Sequence, residues 1–368
     1  MFEVGWETPD WEQIRNLQNN VYQFSFAKCH EQLKATTQLL TDDQGRIVPF
    51  REWNEMASRV NNDYTNRYRP VEYNTAIASA QMSSRWVQFN DEKDIYQNLV
   101  YRTVGDDNVR PSHKLLDGVT RAINDDFWNE HFTPNGWGCR CDIEQTDDEV
   151  TPKNKIVYPT DIPPMFKTNL AKSGLIFPEG HPYFEKLPEQ VLTAADNNNP
   201  FEYRKIETGK KGGYVYDNAI HNHGKEWENE LDIAKVLSAK GDKVVFLPEI
   251  NPQTEWKEAL RNLVLPEVKD GKNPDAILNG NQVVEFKTSK ANTITSLKEL
   301  IKTGGKQADL ICIKLTDKMP LNDIKRALKG QVKQSKNVKE IWMIDQADKL
   351  TKYERSEIEN FFKSKKQK

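Results

Sequence analysis

Cysteine is scarce in this chain, with four residues in 368, at positions 29, 139, 141 and 312. That is too few, and too scattered, for a disulfide framework. Long hydrophobic runs are missing too, so nothing in the sequence approaches membrane-spanning length. The opening Met-Phe-Glu-Val-Gly-Trp-Glu-Thr lacks a basic, apolar targeting signal, and a cytoplasmic origin with no membrane partner is expected. There is no internal repeat and no long low-complexity tract. What remains is a polar but globular composition, 37% hydrophobic with a mean hydropathy of −0.79. The length suffices for two domains, each with its own core.

The most informative stretch is 274–287, Pro-Asp-Ala-Ile-Leu-Asn-Gly-Asn-Gln-Val-Val-Glu-Phe-Lys. Two short apolar runs flank an Asn-Gly turn, which predicts a β-hairpin. Side chains two apart on a strand share a face, so Glu285 and Lys287 point the same way. With a three-residue loop, Asn279-Gly280-Asn281, Asp275 lies opposite Glu285. Asp275, Glu285 and Lys287 then converge, while Ala276, Leu278, Val284 and Phe286 fill the other face. A two-residue loop would set Asp275 opposite Val284 and break the cluster. Two such acids suit a hard divalent cation such as Mg²⁺, and the ammonium suits an attacking water or developing charge. Upstream, 226–237 shows helical apolar spacing and leads through Gly241 into a strand at 244–247. Glu230, one turn before Ala234, is the first choice for a further acid and Glu226 the second.

These residues resemble the Pro-Asp…(Asp/Glu)-x-Lys signature of the restriction-endonuclease-like nucleases, a family that adds a glutamate from the helix before the hairpin. The resemblance implies phosphodiester hydrolysis, with Asp275 and Glu285 as metal ligands and Glu230 and Lys287 completing the catalytic set. The bland alternative is a surface hairpin with Glu and Lys in solvent. Charge placement favours a nucleic-acid partner. The whole chain is −3, yet residues 281–368 hold 20 Lys/Arg against 11 Asp/Glu, a net +9. Lys325, Arg326, Lys329, Lys333, Lys336 and Lys339 recur at helical spacing, and the chain ends Lys-Ser-Lys-Lys-Gln-Lys. Their alternative is a solvated helix face and a frayed tail.

With 226–237, Gly271-Lys272-Asn273-Pro274-Asp275, 284–287 and Lys306-Gln307-Ala308-Asp309 before a strand at Leu310–Leu315, residues 206–350 look like the nuclease domains of contact-dependent inhibition toxins, tRNA-nuclease type. The resemblance implies RNA as substrate, tRNA first, with DNA open, and an immunity protein as partner. It makes Gln307, Lys306 and Lys290 candidates for substrate contact, although Gln307 could equally cap a helix. A neighbouring toxin group with the barnase, EndoU, colicin and RelE-like fold works without metal. His221 and His223 are the residues that could serve such acid–base chemistry, their alternative being a polar loop before a helix.

The first half is of another kind. Residues 11–29, 31–40, 50–61 and 70–87 read as helices, broken at 41–46 by Thr-Asp-Asp-Gln-Gly-Arg. From Tyr101 onward, short strands and turns follow. Residues 147–200 hold eight prolines and end in Asp-Asn-Asn-Asn-Pro, the composition of a linker.

Within 101–145 lie Arg102, Gly105-Asp106-Asp107, Arg110-Pro-Ser-His113, Asp117-Gly118, Asp126-Phe127-Trp128 and Pro134-Asn-Gly136-Trp137-Gly138-Cys139-Arg140-Cys141. This ordered set, with 73–81 before it, resembles the minor head, or head-morphogenesis, family typified by phage Mu protein F, over about residues 20–150. It implies a virion component that assembles with the portal or inner capsid. Gly136 and Gly138 predict a tight turn that tucks Trp137 inward. Arg102, Arg110 and Arg140 with Asp106, Asp107 and Asp117 suggest a paired, buried network. Cys139 and Cys141 share a strand face, where His113 or His131 could join them around Zn²⁺; the alternative is a pair of ordinary buried thiols.

The reading is therefore α+β. A mostly helical head-morphogenesis domain with a small β element spans 1–150 and a linker 151–205. An α/β nuclease-like domain with a central mixed sheet spans 206–368. The expected protein is a phage or prophage minor head protein carrying a metal-dependent nuclease, found in the virion or host cytoplasm. A purely structural virion protein with an inactive nuclease fold is the alternative, and a metal-independent ribonuclease a further one.

Overall fold

The structure is a computed structural model that describes residues 11–362, apart from 252, 266, 267, 269 and 270. The opening segment and the final lysine run singled out above lie outside the described residues. The described residues divide into two units, one of 12–196 and one of 197–362, with Trp11 counted in the second.

The first unit starts with α1 (Trp11–Gln38), a single helix where two adjoining stretches were expected. A turn at 41–47, closed by a bridge between Thr41 and Ile47, separates it from α2 (Phe50–Asn62). A π-helical segment at Asp63–Tyr68 joins α2 to α3 (Arg69–Asp91), whose Pro70 stands in the first turn, where its missing N–H costs no hydrogen bond. Three antiparallel strands follow, β1 (Asn98–Arg102), β2 (Thr120–Ala122) and β3 (Asp142–Thr146), with β1 in the middle. The short helices α4 (Pro111–Lys114) and α5 (Phe127–His131) lie between them in sequence.

The expected linker is where the structure departs from the composition. Residues 151–196 fold back into this unit: Ile156, Ile162, Phe166 and Ala171 join Leu99, Tyr101, Trp128 and Ile143 in one buried cluster. The prolines serve as starts rather than spacers. Pro164 opens a 3₁₀ turn, and Pro182 opens α7 (Pro182–Glu185), which follows α6 (Leu170–Ser173) and precedes α8 (Glu189–Asp196).

The second unit is built on a mixed sheet of eight strands in the order β11-β10-β9-β8-β7-β6-β5-β4. In sequence these are β4 (Tyr203–Thr208), β5 (Tyr214–Asn218), β6 (Lys243–Phe246), β7 (Ala276–Leu278), β8 (Gln282–Ser289), β9 (Leu310–Leu315), β10 (Glu340–Ile344) and β11 (Leu350–Glu354). Alternation sorts the core into two layers. Leu310, Cys312, Phe286, Val284, Ala276 and Leu278 face α9 (Trp227–Ala239). Ile311, Ile313 and Leu315 face α11 (Ile294–Gly304), α12 (Leu321–Val332) and α13 (Arg355–Asn360). A tenth helix, α10 (Glu255–Val264), falls between β6 and β7 in sequence. Gly209 and Gly213, in the β4–β5 turn, must be glycine, because a Cβ on either would collide with the Ser238 carbonyl at the end of α9. Truncating a fully buried ring such as Phe286 to alanine should cost about 3–5 kcal/mol.

The hairpin takes the three-residue loop. Ala276 pairs with Val284, Ile277 with Val283 and Leu278 with Gln282, so Asp275 stands level with Glu285. Asn279 and Gly280 adopt φ of +52° and +90°, a region those two residue types enter at least cost.

Candidate functional site

The carboxylate cluster sits where β7 stops short. β7 begins at Ala276, while β8 runs on to Ser289 and stays paired with β9 along that length. Glu285 and Lys287 therefore project beside the end of the shorter strand. Asp275 is held at that end from both sides: its carbonyl accepts from Leu247 N (2.9 Å), and its Oδ2 accepts from Phe286 N (2.6 Å). Lys287 Nζ donates to Glu285 Oε1 at 2.5 Å. Glu285 is buried, and its Oε2 has no hydrogen-bond partner among the described residues. Such an atom is costly to leave unsatisfied, and a cation is the natural partner for it.

The electrostatics agree with this crowding. Burial pushes Asp275 well above the usual carboxylate range, and the nearby Glu285 and Glu230 push it further. Burial also raises Glu285, with Lys287 pulling back. For Lys287, burial works against the charge, but Glu285, Asp275 and Glu230 outweigh it and the ammonium is held more tightly than usual. Three carboxylates around one amine carry surplus negative charge, which a divalent ion would neutralise. Oxygen donors of this kind suit Mg²⁺, so the residues fit the cation the sequence motif implied.

Glu230 lies in the first turn of α9 and reaches this cluster, whereas the half-exposed Glu226 lines the neighbouring cavities and pairs with Lys290 at 2.8 Å. Sequence reasoning treated His221 only as a candidate for metal-free chemistry. It is buried; its Nδ1–H donates to the Leu247 carbonyl (2.8 Å), and its Nε2 faces Glu230 Oε2 at 3.3 Å. The same Leu247 residue thus fixes both His221 and Asp275. His223 turns away from this arrangement, pairing with Asp217 at 2.9 Å.

A cavity of about 310 Å³ opens onto the cluster, lined among others by His221, Glu230, Asn273, Asp275 and Gln307. Gln307 Oε1 accepts from Asn273 N (3.2 Å), so its side chain bridges to the hairpin entry rather than capping a helix. A second cavity of about 370 Å³ holds Glu230, Lys287 and Lys290. Lys306 is exposed and lines neither. Of the expected basic run, Lys325 covers the Phe361 ring, Lys329 donates to the Phe361 carbonyl and Lys339 pairs with Asp309. Those three are committed to the fold.

The first unit holds a different constellation. His113, on α4, meets Cys139 and Cys141 just before β3, with Nδ1 3.6 Å from one sulfur and 3.4 Å from the other. The three candidate donor atoms lie within 4.8 Å of one another. His131 stands elsewhere: its ring packs against Phe127 and Tyr158, and it is not part of that group.

A family model for Phage Mu protein F like protein matches residues 50–144, the stretch that contains α2, α3, β1, β2, the start of β3 and this cluster. Residues 50–144 are thus Mu F-like in sequence. Similar proteins include the putative capsid assembly protein F of Escherichia phage Mu, 35% identical over 71 residues, which are 19% of this chain and 16% of that protein. Another is the Mu-like prophage FluMu F protein of Haemophilus influenzae, 33% identical over 66 residues, 18% of this chain and 16% of that protein. The chain thus spans 16% of the length of each of these relatives. Among solved structures it is similar to a CdiA-CT/CdiI toxin and immunity complex from Burkholderia pseudomallei, 17% identical over 40% of this chain and 97% of that chain, with a TM-score of 0.23.

In the Mu F-like domain the motif residues mostly build the fold. Trp137 packs edge-on against Phe166, and the Arg110 guanidinium lies against Gly136 and donates to the Trp137 carbonyl at 2.6 Å. The expected buried arginine–aspartate network is not one network and is not buried. Arg140 grips Asp106 through two bonds of 2.7 and 2.8 Å, with side chains 51% and 40% exposed. Arg102 pairs with Glu144, and Asp117 accepts from the Thr103 amide. Arg140 stands between two cysteines that meet His113, and its own side chain is exposed. No helix among the described residues is long and apolar enough to cross a membrane.

Proposed function

We propose that this is a phage or prophage minor head protein whose Mu F-like domain takes part in capsid assembly and whose second unit is a metal-dependent nuclease. The capsid role is supported by the domain match and by relatives named for capsid assembly and prophage F function. Portal and capsid proteins are its partners on this reading. One observation carries the nuclease role: Asp275, Glu285, Glu230 and Lys287 converge at the end of β7, with one buried carboxylate oxygen unpartnered.

Asp275 and Glu285 would hold a divalent cation, Mg²⁺ by the hardness of the donors. Such an ion polarises a phosphoryl oxygen and favours ionisation of the attacking water. Lys287, anchored on Glu285, orients that water and offsets charge building on the phosphate. Glu230 completes the acidic wall, and His221 fixes its carboxylate. Lys290 and Gln307 flank the approach and contact the substrate, and Lys306 lies further out. The substrate class is RNA, tRNA first, or DNA. An immunity protein that covers the cavity and a place in the virion or host cytoplasm belong to the same reading.

Incubating the purified chain with tRNA and with duplex DNA, with Mg²⁺ or EDTA, tests this directly. Cleavage that needs Mg²⁺ and disappears in Asp275→Ala supports it. Cleavage that survives EDTA but fails in His223→Ala would replace it with a metal-free mechanism. No cleavage of either substrate would leave a structural virion protein.

A further inference from the structure

We infer that the Mu F-like domain binds one zinc ion through His113, Cys139 and Cys141, with the fourth position open to solvent. Tetrahedral zinc with Zn–S near 2.3 Å and Zn–N near 2.05 Å places a ligating sulfur and nitrogen about 3.6 Å apart. His113 Nδ1 lies 3.6 Å from Cys139 Sγ and 3.4 Å from Cys141 Sγ, so one site close to each satisfies both distances without moving the backbone. The spacing has a local cause. Residues 139–141 lead into β3 at Asp142, and both thiols meet the His113 ring while Arg140 is tied to Asp106. Gly138, at φ +63°, precedes them, and its amide donates to Thr75 Oγ1 on α3.

Burial sharpens the case. Cys139 and His113 are buried, and Tyr101 stands close by with its hydroxyl bonded to Asn135 Oδ1. No further His, Cys, Asp or Glu joins the three among the described residues. Instead a cavity of about 780 Å³ opens over Cys139 and Cys141, walled by Asn74, Gln81 and Ser84 of α3. A water, or a side chain from a neighbouring capsid component, can therefore reach the fourth position. Thiolate and imidazole donors select zinc over the hard cations that suit the carboxylates of the second unit. Bound there, the ion would tie α4 to the entry of β3, two segments more than twenty residues apart in sequence.

The test uses the full chain, purified under reducing conditions without chelator. Elemental analysis should find one zinc per chain. Exchange for Co²⁺ should give a thiolate-to-metal charge-transfer band and the visible spectrum of a tetrahedral ion. That band cannot come from oxygen donors, so Asp275→Asn should leave it unchanged. Cys139→Ser and Cys141→Ser should each weaken it. His113→Gln should release metal at a chelator concentration at least about tenfold lower, since losing even a hydrogen-bond partner of a ligand costs that much. If those variants misfold, the wild type decides alone: its two thiols should become reactive toward a thiol reagent only after chelation. A chain that is metal-free after growth in added zinc, shows no charge-transfer band with Co²⁺ and exposes no new thiols on chelation would overturn the inference.

Discussion

The two units gather their polar interiors from opposite ends of the donor scale. The Mu F-like region brings two thiols and an imidazole together, and its motif arginines stay at the surface in pairs such as Arg140–Asp106 and Arg102–Glu144, while the buried Arg121 pairs with Asp125. The second unit buries carboxylates around a lysine at the end of a short strand. Soft donors can be neutral when empty, so the first cluster sits largely buried beside its cavity at little cost. Ionised carboxylates cannot, so the second cluster strains the fold unless protons or a cation relieve it. Groups that are held at such a cost in a cavity are more often there for chemistry than for stability.

The largest effects should come from breaking the carboxylate side of this contrast. Asp275→Ala and Glu285→Ala should abolish cleavage, and Lys287→Ala should lower kcat by about 10²–10³-fold, the range for losing one preorganised electrostatic contact. Steady-state rates on a labelled tRNA and a labelled DNA would show it. An equal fold-loss at low and at saturating Mg²⁺ in the Lys287 variant fits its role beside the phosphate. If Lys287→Ala instead kept full rate, the amine would be only a counter-ion for Glu285.

Next in size is His221→Ala. Removing the ring frees Glu230 and should lower activity about 10- to 100-fold, as loss of a group that orients a metal-site carboxylate does. His221→Gln should restore part of it, because an amide can still reach Glu230. His223→Ala should change little, since that ring is paired with Asp217 outside the cluster. The two histidines thus separate a positioning residue from a bystander, and equal losses in both would erase that distinction.

The sequence made some of this legible for definite reasons. Period-two alternation and an Asn-Gly pair that accepts positive φ were enough to set Asp275 level with Glu285. Helical spacing was enough to favour Glu230 over Glu226. His221 could not be read in the same way, because its role depends on the Leu247 carbonyl and on a bend of the chain that no local pattern encodes. The stretch 151–196 misled for the opposite reason. Its prolines suggest a spacer, while Ile156, Ile162, Phe166 and Ile176, irregularly spaced and on no one face, are buried all the same. The arginines and aspartates of the Mu F-like motif suggested a network because their order in sequence says nothing of which strand face they occupy.

The smallest expected effect bears on stability and tests the strain directly. Asp275 and Glu285 both have folded-state pKa values raised above the ordinary carboxylate range near 4. The folded protein therefore keeps these protons longer than the unfolded chain does. As pH rises through that range and on to the raised values, the unfolded state loses its protons first and stability falls. Above them the penalty is constant. Asp275→Asn removes one of the charges, so it should raise the melting temperature of the second unit at neutral pH by on the order of 2–4 °C, the shift that about 1 kcal/mol produces in a domain of this size. The gain should fade as pH drops through about 4 and vanish well below it, where the wild-type carboxyl is protonated in both states, and Mg²⁺ should shrink it by stabilising the wild type alone. Thermal melts of both proteins across pH, with and without Mg²⁺, would read all of this. The thiol cluster gives no counterpart, because Cys139→Ser should lower the melting temperature of the Mu F-like domain when zinc is bound. Two substitutions of similar size, one stabilising and one destabilising, would separate a site that is paid for by the fold from one that holds it together.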